Sequence, residues 1–256
     1  MFTIGCDPEF FMHNKGKFIS SIGKIGGSKK EPLPIGNGCS IQEDNVAVEF
    51  NTPPAQTCQA FIESINWTLE EISKRVTNLN LSISQASAVQ FDEDQLDSIE
   101  ACTFGCDPDF NAWTGKENPP IMVMGTAQER LRTAGGHVHV GTDLDPIQVI
   151  KAMDIFLGCP SVIMDTDGQR RAFGYGKAGA FRKKPYGVEY RVLSNFWIWD
   201  KENIEFVYNQ TQKALDFVKN KGKIMSDHKK YILAAIDGNN PKYAKHIMDY
   251  FGVLNA

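Results

Sequence analysis

At 256 residues, 42% of them hydrophobic and 23% charged, the chain is long enough to bury a large core and has the composition of a globular protein. A formal net charge of −4 excludes a general nucleic-acid coat, although a local basic groove stays open. No apolar run predicts a transmembrane helix and MFTIGCDPEF does not read as a signal peptide. The six cysteines contain no CxxC pair, so free buried thiols in a cytoplasmic protein are expected rather than a disulfide framework.

Residues 2–10 predict a strand. Pro8 cannot donate to a ladder, which puts a bulge or strand end where Asp7 and Glu9 are displayed on one face. A turn at 14–16 and a return strand at 17–20 complete a hairpin. The stretch 23–38 is rich in Gly, Lys and Pro but lacks the spacing of a phosphate-binding loop. It reads as a surface loop, or as a lid bringing Lys24, Lys29 and Lys30 over an anionic substrate. Residues 45–51 alternate: Val46, Val48 and Phe50 face the packing, and Glu49 faces the other way, where a plain surface carboxylate is the bland alternative. Thr52-Pro53-Pro54 stops that strand. Phe61, Ile65, Leu69, Ile72, Val76 and Leu79 recur at helical spacing and predict an amphipathic sheet-covering helix over 56–79. LSISQASAVQF then predicts one or two strands, and DEDQLDSIE an acidic turn with a short helix.

TFGCDPDF at 103–110 echoes TIGCDPEF at 3–10. It predicts a second bulged strand, with Asp107 and Asp109 presented as Asp7 and Glu9 are; a structural Asp-Pro turn is the competing reading. Residues 126–132 predict a short helix with Arg130 and Arg132. TAGGHVHVG predicts a central strand entered through two glycines, with His137 and His139 on one face. Such a pair suits a metal or a phosphate. A cupin-like iron or zinc site would use it with a distant carboxylate and another histidine, whereas the surrounding carboxylates favour a hard cation, mainly magnesium, with one histidine as nitrogen ligand.

Pro146 after Asp145 starts a helix to about residue 158. Between Arg170 and Lys184 the chain is basic and glycine-rich, with Arg171, Lys177 and Arg182 among its cations. That composition suits a nucleoside triphosphate or a substrate carboxylate, although a solvated loop would share it. The stretch runs straight into YGVEYRV, where Val188, Tyr190 and Val192 point to the packing and Glu189 and Arg191 stand together on the other face. Helices are predicted over 200–220, 227–236 and 241–250, a C-terminal cap of about 200–256 on a single domain of 1–256. His228 and His246 receive no role.

If these strands lie in one sheet, one face collects several carboxylates, two imidazoles and a guanidinium. Like charges at close range are costly unless offset, and a divalent metal with a polyphosphate would offset them. GCDPEF, NVAVEFNTPP, HVHVG and the arginine-rich stretch leading into YGVEYRVLSNFW resemble, in this order, the carboxylate–amine ligases of the glutamine synthetase and gamma-glutamylcysteine synthetase superfamily, in particular its small phage-encoded branch. The resemblance spans nearly the whole chain. It implies an α+β fold with a glutamine synthetase-like curved, mainly antiparallel sheet covered by helices. It also implies ATP and two or three magnesium ions, with manganese as a substitute, and an amide bond formed through an acyl phosphate with release of ADP and phosphate.

By resemblance, Asp7, Glu9, Glu49, His139 and Glu189 bind metal. His137, His139, Arg171, Lys177 and Arg191 attend the nucleotide, and Arg191 contacts the transferred phosphate with Arg182 nearby. Glu49 or Asp109 accepts the amine's proton. Asp7 departs from the glutamate found in many relatives. The implied partners are a small-molecule or peptide carboxylate and an amine, with nucleic acid only as a modified-base substrate, no membrane, and a homodimer compatible with the size. The competing functions are another ATP- and magnesium-dependent phosphotransferase and a non-catalytic phage binding or structural protein that keeps the fold.

Overall fold

The computed structural model describes residues 2–102, 109–119, 129–166 and 168–253. The fold is α+β, built on a curved, mainly antiparallel sheet. One six-stranded layer runs β1 (Thr3–Cys6), β12 (Val138–Gly141), β14 (Gly187–Tyr190), β13 (Ala180–Lys184), β9 (Phe110–Asn111) and β10 (Lys116–Glu117). A second runs β3 (Lys17–Ile19), β2 (Glu9–Asn14), β6 (Ala47–Asn51), β5 (Cys39–Asp44) and β4 (Leu33–Gly36), with β7 (Ser82–Ser84) also on β2. β8 (Ala88–Gln90) and β11 (Leu131–Thr133) form a separate pair.

The two layers share one piece of chain. β1 ends at Cys6 and β2 begins at Glu9, so the break falls at Asp7-Pro8, as the missing proline donor predicts. Across the break the backbone stays paired: Glu9 N donates to Gly135 O at 2.8 Å and Phe50 N to Pro8 O at 3.2 Å. The sheet therefore bends at Pro8 without exposing an edge, and curves around the residues displayed there.

Three differences from the sequence expectations matter. The expected loop over 23–38 contains β4 and leads into β5 through Asn37-Gly38, both at positive φ (50° and 75°), a two-residue hairpin turn. The helix at Pro146 does not stop near 158. It passes from α2 (Pro146–Met153) through a π turn (Asp154–Gly158) into α3 (Cys159–Met164). Pro160 has no N–H to give, and the wider turn, with Cys159 N–H reaching back to Asp154 O, carries the helix past it. Of the expected helix over 126–132, residues 126–128 lie outside the described residues, and Leu131–Thr133 is strand.

The remaining helices fall close to their expected bounds: α1 (Cys58–Asn78), α4 (Lys201–Lys219), α5 (Ser226–Ile236) and α6 (Pro241–Phe251), the last three forming the C-terminal cap. Thr57, Asp200 and Asn240 cap α1, α4 and α6 with their side-chain oxygens, satisfying first-turn N–H groups. The helix over Pro146–Met164 is long and apolar enough to cross a membrane by length and composition, but 72% of its most apolar window is buried inside the protein, which marks it as a core helix here. One continuous core joins Val138, Val140, Val188 and Tyr190 of the first layer, Phe10, Ile41, Val48 and Phe50 of the second, and the helices behind them. The opposite face carries the polar side chains around Pro8 and, farther along β2 and β6, a second apolar cluster that includes Phe11, Ala47, Val89 and Phe91. Cys6, Cys39, Cys58 and Cys159 are free.

Candidate functional site

Strand register sets the site. In the first layer His139 pairs with Glu189, and Glu189 with Arg182, so imidazole, carboxylate and guanidinium stand in one row across three strands. Asp7, His137 and Arg191 lie two residues along their chains, on the same face. In the second layer Glu9 pairs with Glu49, and Glu49 with Gln42. Asp44 shares the face of Gln42. The bend at Pro8 thus divides the Asp7 and Glu9 pair between two groups.

Asp7, His139 and Glu189 form the first group and Glu9, Asp44 and Glu49 the second; within each, one ligand atom per residue lies within 4.8 Å of the others. His139 Nε2 stands 3.0 Å from Asp7 Oδ1, and His137 Nδ1 3.5 Å from the same oxygen. Glu189, with no exposed surface, meets Lys184 Nζ at 2.6 Å and Arg182 Nη1 at 3.5 Å and is in direct contact with Arg191 Nη1. Arg191 Nη1 also stands 3.2 Å from His137 Nδ1. Arg191 Nε donates to Asp109 Oδ2 at 3.3 Å, and Asn118 donates to Asp109 Oδ1 at 2.8 Å. Tyr186 stacks on His139 and its hydroxyl bonds Nδ1 of that ring. The two glycines before the histidines are required by space: a Cβ on Gly135 would lie 2.3 Å from His137 Nε2, and one on Gly136 2.1 Å from Ser194 O.

The two groups differ in charge compensation. Burial opposes ionisation of Asp7, but His139 and His137 outweigh it and hold its carboxyl well below the usual range. Burial and Asp7 oppose ionisation of Glu189 as well, and His137, Arg191 and Lys184 still bring it down to about 2. His139 is correspondingly raised, against its own burial, by Asp7 and Glu189. In the second group burial raises Glu9 despite His137, Arg191 and a hydrogen bond from Gly135 N to its carboxylate (2.9 Å). Glu49 is pushed far up by burial and then by Asp7, Glu9 and Asp44 together.

The donor set tests well against a divalent cation. Five carboxylates and one imidazole are the ligands of a hard ion. Asp7 Oδ1, His139 Nε2 and Glu189 Oε2 are buried and without a hydrogen-bond partner, their contacts being ion pairs. Of the residues expected from sequence, the structure brings together Asp7, Glu9, Glu49, Asp109, His137, His139, Arg182, Glu189 and Arg191. Arg171 does not join them: buried, it donates to Ser161 Oγ at 2.7 Å and Asn239 Oδ1 at 3.4 Å, cross-linking α3 to the cap. Lys177 is next to Ala178, whose N–H donates to Asp237 of the cap at 2.8 Å, and its charge favours that carboxylate. Asp107 lies outside the described residues. Asp44 and Tyr186 had no site role in the sequence reading, and Lys184 entered it only as one cation of the basic stretch. Lys184 is two residues from Arg182 on one strand face, a signal that was available; Asp44 needed β5 to be recognised. The start of the lysine-bearing loop is held by Glu43, which alternates to the face opposite Asp44 and accepts N–H bonds from Gly23, Lys24, Ile25 and Gly26 at 2.8–3.0 Å.

The curved sheet face thus carries two acid groups that could each hold a metal ion, beside the cations Arg182, Lys184 and Arg191. The family model described as phage phiEco32-like COOH.NH2 ligase-type 2 matches residues 116–234. A phage-associated carboxylate–amine ligase-type domain is therefore present over that part of the chain, which carries His137, His139, Arg182, Glu189 and Arg191. No curated protein matches the chain.

Proposed function

We propose that the protein is an ATP-dependent carboxylate–amine ligase, a single domain on a glutamine synthetase-like sheet. It joins a small-molecule or peptide acid to an amine through an acyl phosphate and releases ADP and phosphate. The observation that carries this reading is the pair of acid groups flanked by Arg182, Lys184 and Arg191 on one face, within and beside a ligase-type family match.

A carboxylate is a poor electrophile because oxide is a poor leaving group; phosphorylation gives it phosphate as leaving group. Moving a phosphoryl group onto an anion brings negative charges together, so the catalyst must place positive charge where they meet. In this reading Asp7, His139 and Glu189 hold one divalent cation and Glu9, Asp44 and Glu49 another, magnesium or manganese. Bound there, such ions supply charge neutralisation and Lewis acidity. Arg191 and Arg182 orient the transferred phosphoryl oxygens with their planar forks, and Lys184 adds a point charge at the rim. His137 lies between Asp7 and Arg191, its Nδ1 3.5 Å from the one and 3.2 Å from the other. Asp109, its side chain 23% exposed, stabilises the incoming ammonium and accepts its proton.

The test is nucleotide turnover followed by phosphorus NMR with magnesium and pooled acids and amines, alongside Glu189→Gln and Arg191→Ala. ADP and phosphate formed only with a substrate pool, and lost in both variants, is the expected result. AMP and pyrophosphate would instead show adenylation and sink the acyl-phosphate mechanism. ADP formed with a phosphorylated product as the end point would indicate a phosphotransferase.

A further inference from the structure

Behind the site, on the covered face of the sheet, lies a carboxylate that the mechanism does not use. Asp154 opens the π turn and is fully buried. Its Oδ1 accepts the Tyr190 hydroxyl at 2.8 Å and its Oδ2 accepts the Trp113 indole N–H at 2.6 Å. Tyr190 is the residue between Glu189 and Arg191, turned to the opposite face. Trp113 is four residues beyond Asp109. One side chain therefore joins the back of the strand that carries Arg191 to the segment that carries Asp109.

The surroundings are shaped for this link. A Cβ on Gly158 would lie 2.6 Å from the Tyr190 hydroxyl, and one on Gly179 2.6 Å from Trp113 Cδ1. Lys151 sits over the Trp113 ring, 5.3 Å from its centroid, and Lys229 Nζ donates to Trp113 O at 3.4 Å. The link adds to a short attachment: among the described residues β9 pairs with β13 over Phe110 and Asn111, with Ala112 N donating to Gly179 O at 2.9 Å, and Asp109 lies just before them. A buried carboxylate is costly unless hydrogen-bonded, so its retention beneath the site calls for a return in position.

We propose that Asp154 is a positioning residue: from behind the sheet it holds Tyr190 and Trp113 at a fixed separation and so sets where Asp109 meets Arg191. The inference rests on the ligase reading only for the chemical meaning of the Asp109–Arg191 pair; the placement itself is measured without turnover. The experiment is nitrogen-15 NMR of the Arg191 Nε–H group, assigned with Arg191→Lys, in the full chain. Asp109→Asn defines the signal of the broken pair. Asp154→Asn and Trp113→Phe are compared with Val162→Ala, a buried change in α3 made outside the clamp as a control for lost stability, each checked by circular dichroism for retained fold.

The expected result is an upfield move of the Arg191 Nε–H signal toward its Asp109→Asn position in both clamp variants, and no move in Val162→Ala. An unmoved signal in a folded clamp variant overturns the proposal, as does an equal move in Val162→Ala. Should Asp154→Asn fail to fold, Trp113→Phe decides by the same criterion. Because no substrate enters the measurement, a failed ligase assay leaves this outcome intact, and the reverse.

Discussion

The two acid groups sit on one curved face, joined through Pro8, yet they are opposite in electrical character. Around Asp7 and Glu189 the protein supplies its own cations: His137, His139, Arg182, Lys184 and Arg191. Around Glu9, Asp44 and Glu49 it supplies little beyond one backbone N–H and the more distant His137 and Arg191. The carboxyls of the first group are accordingly pushed down and Glu9 and Glu49 of the second are pushed up. The first group is a finished ion-pair network that an incoming cation must reorganise. The second is an unfinished one, in which an incoming cation displaces protons and relieves repulsion.

The largest expected effect breaks the finished network. Arg191→Ala leaves Glu189 buried without its closest cation, which should cost about 3–5 kcal/mol of stability, read by urea unfolding without metal. Under the proposed mechanism it should also lower turnover by about 10²–10³-fold. A loss of stability no larger than at a surface position would mean that the first group is not a compensated network.

The next effect is a difference of sign with pH, measured on chelator-treated protein. The folded pKa of Glu189 is depressed, so its contribution to stability is full above the ordinary value of 4.5 and is lost as pH falls toward about 2. Glu49 is raised: the folded chain keeps a proton that the unfolded chain has released, so stability declines as pH climbs through the interval between the two values. Glu189→Gln should therefore flatten the acid limb and Glu49→Gln the decline at higher pH. The same direction of change in both variants would remove the contrast.

Asp44→Asn should be smaller. Replacing one of three crowded carboxyls by a neutral amide should leave the metal-free fold unchanged or up to about 1 kcal/mol more stable, while manganese affinity at the second group falls, as calorimetry would read. The smallest effect is expected from Lys29→Ala with Lys30→Ala. Since Glu43 anchors the start of their loop on the face away from the acids, stability should change by no more than about 0.5 kcal/mol, and the ratio of free phosphate to amide should stay the same. A rise in that ratio would restore the idea of a lysine lid.

Much of this face was legible in the sequence, because a strand's two-residue period assigns faces without coordinates. HVHVG and YGVEYRV each showed their polar face. The close approach at Gly135 and Gly136 carried no signal beyond the glycines themselves. Pro8 marked a bulge or strand end. Sequence could not show that this bend sends Asp7 and Glu9 into different groups, since that depends on which strands flank each residue. Asp44 was missed for a more local reason. CSIQED has weak strand character, and Asn37-Gly38, a strong hairpin signal, was absorbed into an apparent loop. Arg171 shows the converse: a cation in a basic stretch looks ready for phosphate, but only the packing of α3 and the cap reveals that its guanidinium is committed to Ser161 and Asn239. Asp154 carried no sequence signal, because a π turn is invisible to a 3.6-residue period.

A manganese titration of the metal-free chain, counting bound ions by electron paramagnetic resonance, addresses the two-group site most directly. Two ions per chain are expected, their spectra broadened by mutual proximity, with Glu49→Gln losing one and Glu189→Gln losing the other. A single ion removed by either substitution, or no binding at millimolar manganese, would contradict the division of the face into two cation sites and the phosphoryl chemistry built on it.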